Sequence, residues 1–191
     1  TQYGCFTYFK PGSIDVPVPE LDRDEAGTVR LGWKLNARRL DQKLEEQLVR
    51  SGKLKPTERF FQLVDSVTEK AVVAHRGTVA FNHFRDCWIM LFTEVGGTSM
   101  LGEVWYAEAG SLTGPWRRTT KVATHRKYSF YNPRHHSYFD QDGGRFIYFE
   151  GTYTTTFSGN EFPTQRYDYN QIMYRLDLKN PRLHSGSPGA R

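Results

Sequence analysis

Long apolar runs are missing from this chain. No stretch of about 18 apolar residues occurs, so no segment reads as a membrane-spanning helix. Cysteine is scarce: Cys5 and Cys87 are the only two, enough for a single bridge, and no Cys/His zinc spacing accompanies them. Cys87 lies in the apolar run CWIMLF and is expected as a buried thiol. No RNA-binding signature is present either. The formal charge of +5 comes from scattered bases, among them Arg38 and Arg39, Arg117 and Arg118, Arg126 and Lys127, and Arg134. Scattered charge describes a solvated surface, so neither nucleic acid nor membrane is expected as a partner. No signal peptide is visible and Thr1 stands where an initiator Met would, so the expectation is a mature product or an excised piece.

Helical periodicity is equally sparse. It appears once, at 37–50, where Leu40, Leu44 and Leu48 recur at i, i+4 and i+8 and Gly52 offers a stop. Elsewhere the chain alternates. Aromatic residues make up 15% of it against 38% hydrophobic in all, which favours a sheet built on Phe, Tyr and Trp. Residues 1–10 read as a strand missing its upstream partners, 11–25 as a Pro- and Asp-rich loop, and 30–33 as a short strand. Four antiparallel strands are predicted between 72 and 123. The segment 86–94 is apolar on both faces, as for a covered central strand, with Trp88, Ile89, Leu91 and Phe92 buried.

The stretch 128–178 then repeats the pattern. Predicted strands at 135–139 and 145–151 flank an Asp142-Gly143-Gly144 hairpin signal, 152–157 extends the second or makes a third, and 170–178 returns. Two successive four-stranded meanders of about 50 residues have the form of propeller blades. The fold expected is mainly β: propeller-like blades in an incomplete propeller, with one inserted helix. The domains expected are a partial blade with its helix over 1–70, two blades over 71–183, and a flexible tail over 184–191.

GEVWYAEAGSLTGPW, at 102–116, resembles the blade edge of five-bladed propeller glycosidases, and NPRHHSYFDQDGGRFIYFEG, at 132–151, resembles the start of their next blade. From His75 to Leu183 the chain resembles an uncharacterised bacterial family of such propellers, distantly similar to the domain-of-unknown-function group that includes endo-D-arabinanases. The resemblance implies a secreted or periplasmic carbohydrate-active protein that hydrolyses glycosidic bonds in a polysaccharide, without a cofactor. Those glycosidases often carry a catalytic Asp before Pro, where this chain has Asn132. An amide is neither base nor nucleophile, so Asn132 is expected to hydrogen-bond a sugar hydroxyl.

Glycoside hydrolysis needs two carboxyls, one of them protonated near neutral pH. Glu150, flanked by aromatic residues in Phe-Glu-Gly, is the first candidate, because desolvation favours the protonated acid. The expectation places it at the end of its strand, with Gly151 leaving room for a sugar. Glu94 and Glu103 follow, with Asp140 and Asp168 behind them. The plainer reading of Glu150 is an ion pair with Arg145, Arg166 or Arg175. For substrate binding the candidates are His75, His83, Asn132, His135, Tyr153, Tyr167 and Tyr169, whose plainer role is hairpin packing. His135 and His136 point to opposite faces of a strand and cannot chelate one ion, so no metal is expected. Two further readings stand beside hydrolysis: a propeller that binds glycan without cleaving it, and a structural or protein-interaction β-domain.

Overall fold

The computed structural model describes residues 2–97 and 100–184, and the chain divides into two units, Thr1–Phe61 and Gln62–Arg191. The tail expected at 184–191 lies, from 185 onward, outside the described residues.

In the first unit β1 (Gly4–Thr7) pairs antiparallel with β2 (Gly32–Leu35). The N-terminal strand therefore has a partner downstream in the chain. The helix α1 spans Gln42–Arg50, five residues shorter at its start than the leucine spacing suggests. Asp41 fixes that start: its carboxylate accepts the Leu44 amide hydrogen at 2.8 Å. Gly52, at φ +71°, takes the left-handed turn that ends the helix. Leu44 and Leu48 pack with Tyr8, Phe9 and Leu54 in a small core. Glu45 is fully buried among them, accepting from the Tyr8 hydroxyl at 2.8 Å and from the Phe60 and Phe61 amides at 2.7 and 3.1 Å. Those bonds fasten the segment after the helix to the helix itself, as a buried carboxylate requires.

The second unit carries the remaining strands: β3 (Val64–Asp65), β4 (Ala74–Asn82), β5 (Cys87–Glu94), β6 (Glu103–Ala109), β7 (Arg118–Thr124), β8 (Ser129–His135), β9 (Phe146–Thr154) and β10 (Asn170–Asp177). A five-stranded sheet has the order β3-β7-β6-β5-β4, antiparallel except for β3 on β7. A three-stranded sheet has the order β10-β9-β8, all antiparallel. The expectation of a mainly β protein with one α-helix holds, and the strands between 72 and 123 fall where alternation puts them. The described strands close no propeller.

The second meander differs from its prediction. It has three strands, and its first begins at Ser129, not at 135. Asn132 and Pro133 lie inside β8, where the register shifts between Tyr131 and Arg134 and Asn132 adopts φ +52°. A bulge is one of the few places where a strand tolerates proline, which lacks a ladder donor. Asp142–Gly144 is a short 3-10 turn inside a longer connection, not a tight hairpin.

The two sheets share one core. Ile89 and Leu91 of β5 and Val104 and Tyr106 of β6 pack with Phe130, Ile147 and Phe149 of the smaller sheet. The opposite face of β5 and β6 carries Phe92, Trp105 and Ala107, packed with Leu63, Val72 and Trp116. β5 is thus apolar on both faces because each has its own core, although Trp88 is only partly buried. Trp116 of the Gly-Pro-Trp segment serves that second core. Both cysteines are free and partly buried, and burial pushes the Cys87 thiol up to about 11, with Glu108 adding to the shift.

Candidate functional site

The register of the smaller sheet decides what surrounds Glu150. It sits within β9, not at its end, opposite Arg134 on β8 and Met173 on β10. Directly opposed residues share a face. Phe149 and Ile147 face the core, so Glu150 and Arg134 occupy the outer face. His136 follows, its amide donating to the Tyr148 carbonyl at 2.9 Å, and it returns to the face of Glu150 as a diagonal neighbour. His136 Nε2 lies 2.9 Å from Glu150 Oε1. The 3-10 turn Ser137–Phe139 then brings the Tyr138 hydroxyl to 2.7 Å from His136 Nδ1.

This chain of groups runs from solvent inward and out again. Tyr138 is 73% exposed, His136 is 8% exposed, and the Glu150 side chain is 34% exposed. Both neutral tautomers of the imidazole satisfy the distances. With the Tyr138 hydroxyl donating to Nδ1, Nε2–H donates to a Glu150 carboxylate. With Nδ1–H donating to the phenol oxygen, Nε2 accepts from a protonated Glu150. His136 therefore joins the Glu150 carboxyl to an exposed hydroxyl through two hydrogen bonds. Two of the three arginines named as ion-pair partners go elsewhere: Arg145 holds Asp177 through two bonds of 3.0 and 2.8 Å, and Arg175 lies over the Phe146 ring.

The neighbouring histidine is engaged differently. His135 Nε2 is 2.8 Å from Asp140 Oδ1, and the His135 amide donates to Thr78 Oγ1 at 3.0 Å, tying β8 to β4. Divergence of the two histidines is what alternation along a strand demands. Among the described residues no three His, Cys, Asp or Glu side chains converge to hold a metal ion.

Glu94 and Glu103 have partners of their own. Glu94 ends β5 and accepts the Trp105 indole hydrogen at 2.8 Å. Glu103 opens β6, is fully buried, lies 3.2 Å from Lys121 and accepts from Thr124 at 3.0 Å. Trp105 belongs to the core on the far face of the five-stranded sheet. Glu94 therefore faces away from the shared core on one side of the unit and Glu150 on the other.

Gly151 is not an approach for a sugar. A Cβ there would lie 2.5 Å from Phe130 Cε1, so the aromatic ring already occupies that space. The proposed binding residues scatter. His75 lies 6.2 Å from the Tyr131 ring, next to exposed Asn132, whereas His83 follows the other end of β4 and meets Phe81 edge-on. Tyr153 packs inward between Tyr128 and His125. Tyr167 and Tyr169 stand exposed on the loop between β9 and β10, based on Asp168, whose carboxyl the Thr155 hydroxyl and amide hold below its ordinary range.

His136 and Tyr138 are the groups that sequence reasoning left without a role beside Glu150. The signal was available only through register, because a diagonal pair is invisible until the strands are aligned. His125 is a further buried group: Nδ1 is 2.6 Å from the Gly102 carbonyl, Nε2 is 3.0 Å from the Tyr174 hydroxyl, and its ring stacks on Phe130. Burial lowers its pKa, with the Gly102 hydrogen bond and Glu103 acting the other way.

Comparison with protein-family models, with curated proteins and with solved structures gives no match.

Proposed function

We propose that the second unit is a carbohydrate-active β-domain of propeller-like blades in which Glu150 is the proton donor for glycosidic bond cleavage. The observation that carries the reading is the contrast among the carboxylates. Glu150 alone of the three first candidates combines solvent access with an imidazole partner, since Glu94 is held by an indole N–H and Glu103 is fully buried beside Lys121. A general acid must reach the leaving oxygen at about 2.6–3.2 Å and be recharged after each turnover. The partly open carboxyl suits the first need, and on this reading the His136–Tyr138 chain would serve the second. A secreted or periplasmic location goes with this reading.

Glu150→Gln removes the acid and keeps the shape. It should lower hydrolysis of arabinan or xylan by about 100-fold or more and leave binding of the polymer in place. Equal activity in the variant would make Glu150 structural. The second reading, glycan binding without cleavage, is favoured by one observation: Glu94 and Glu150 face opposite sides of the unit, so together they do not flank a glycosidic bond. A wild-type protein that binds either polymer and cleaves neither would establish that reading.

A further inference from the structure

The chain leaves β9 at Thr154 and enters β10 at Asn170, and residues 155–169 form the connection. Its base is fastened. Asp168 accepts from the Thr155 amide at 3.0 Å and the Thr155 hydroxyl at 2.6 Å. The Thr164 hydroxyl donates to the Tyr167 carbonyl at 2.6 Å and accepts from Asn170 Nδ2 at 2.9 Å. The Ser129 hydroxyl, on β8, donates to the Thr156 carbonyl at 2.6 Å. Within this frame Phe157, Arg166 and Tyr169 are held at φ +63°, +69° and +77°, a region that non-glycine residues enter only when their surroundings impose it.

What the frame presents is aromatic. Phe157, Phe162, Tyr167 and Tyr169 are 68, 72, 75 and 62% exposed. Rings of this size normally bury their faces, so four exposed ones on a single fastened loop point to a ligand that covers them. Its composition argues against a lipid. Residues 155–169 contain no Val, Ile, Leu or Met, and their single base, Arg166, is outnumbered by two acids, Glu161 and Asp168. A lipid-facing segment would pair its aromatic residues with aliphatic side chains and basic charge. The rings are interleaved instead with Asn160, Gln165 and threonines. Flat rings stack on the C–H faces of sugars, and the amides and hydroxyls match sugar hydroxyls.

We propose that the 155–169 loop is a stacking platform for an extended, uncharged polysaccharide chain. The inference rests on the carbohydrate reading of this unit but not on Glu150 being its acid. It is tested with the full chain by affinity electrophoresis and calorimetry against arabinan and xylan. Wild type should bind at least one of them. Phe162→Ala with Tyr167→Ala should weaken that binding by about tenfold or more, with an unchanged melting temperature and circular dichroism spectrum. Tyr167→Phe with Tyr169→Phe keeps both rings and should retain affinity to within about threefold, under 1 kcal/mol. Binding by the alanine pair equal to wild type overturns the platform. So does a wild type that binds neither polymer, including one that sediments with phosphatidylcholine vesicles instead. Loop-dependent binding with hydrolysis that survives Glu150→Gln supports the platform and removes the Glu150 assignment alone. Binding that ignores the loop, with hydrolysis that requires Glu150, does the reverse.

Discussion

Replacing Gly151 by alanine separates a packing role from a ligand-facing one. The new methyl would lie 2.5, 2.7 and 2.8 Å from three carbons of the Phe130 ring, well inside van der Waals contact. Phe130 is fully buried and hemmed in: it stacks on His125 at 4.3 Å and meets Tyr174 and Phe149 edge-on at 5.6 and 6.3 Å. A ring so enclosed cannot withdraw without disturbing His125 and its bonds to Gly102 and Tyr174. The cost therefore belongs in the upper part of the overpacking range, about 2–3 kcal/mol. For a unit of this size that lowers the melting temperature by about 7–11 °C. Thermal unfolding followed by near-ultraviolet circular dichroism reports it. Combining Gly151→Ala with Phe130→Leu should recover about 1 kcal/mol or more relative to the sum of the single changes, because the smaller side chain makes room. A shift below about 1 °C for Gly151→Ala would refute the packing argument. If polysaccharide binding fell while stability held, Gly151 would face the ligand after all.

Two further outcomes follow from buried polar groups. Burial disfavours the charged form of His125, so its folded pKa lies below the ordinary value of about 6.5. Between those two values the unfolded chain binds more protons, and stability rises with pH. The His125 contribution is thus fully present above about pH 6.5 and is lost as pH falls through the folded value. Urea midpoints from pH 8 to 5 should decline, and His125→Gln should flatten the decline; an equal slope in the variant would exclude His125 as the cause. In the first unit, Glu45→Ala strands the Tyr8 hydroxyl and the amides of Phe60 and Phe61. A loss of about 3 kcal/mol or more is expected, visible as faster hydrogen exchange at those two amides, and unchanged exchange would count against it.

Local pattern was a good guide where local forces decide. β4 to β7 fall where alternation and turn residues place them, because each strand needs only a neighbouring hairpin partner and a buried face. β8 eluded the same reading. Asn132-Pro133 has the sequence of a loop, and only a bulge paired against β9 lets it lie within a strand. The helix began late for a similar reason: leucine spacing marks its buried face, whereas the Asp41 cap decides where the first turn can start.

The candidate site divides along the same line. The sequence by itself determined that Glu150 lies on an aromatic strand, that His135 and His136 must diverge, and that the chain is mainly β with one helix. Each of these follows from the two-residue period of a strand or the 3.6-residue period of a helix, which are properties of the backbone. Only the tertiary structure decided that His136 meets Glu150, that Phe130 fills the space beside Gly151, and that Glu94 faces the other side of the unit. Those facts depend on register and on which sheet faces pack together. A shift of one residue in strand pairing would reverse every face while leaving the sequence pattern unchanged.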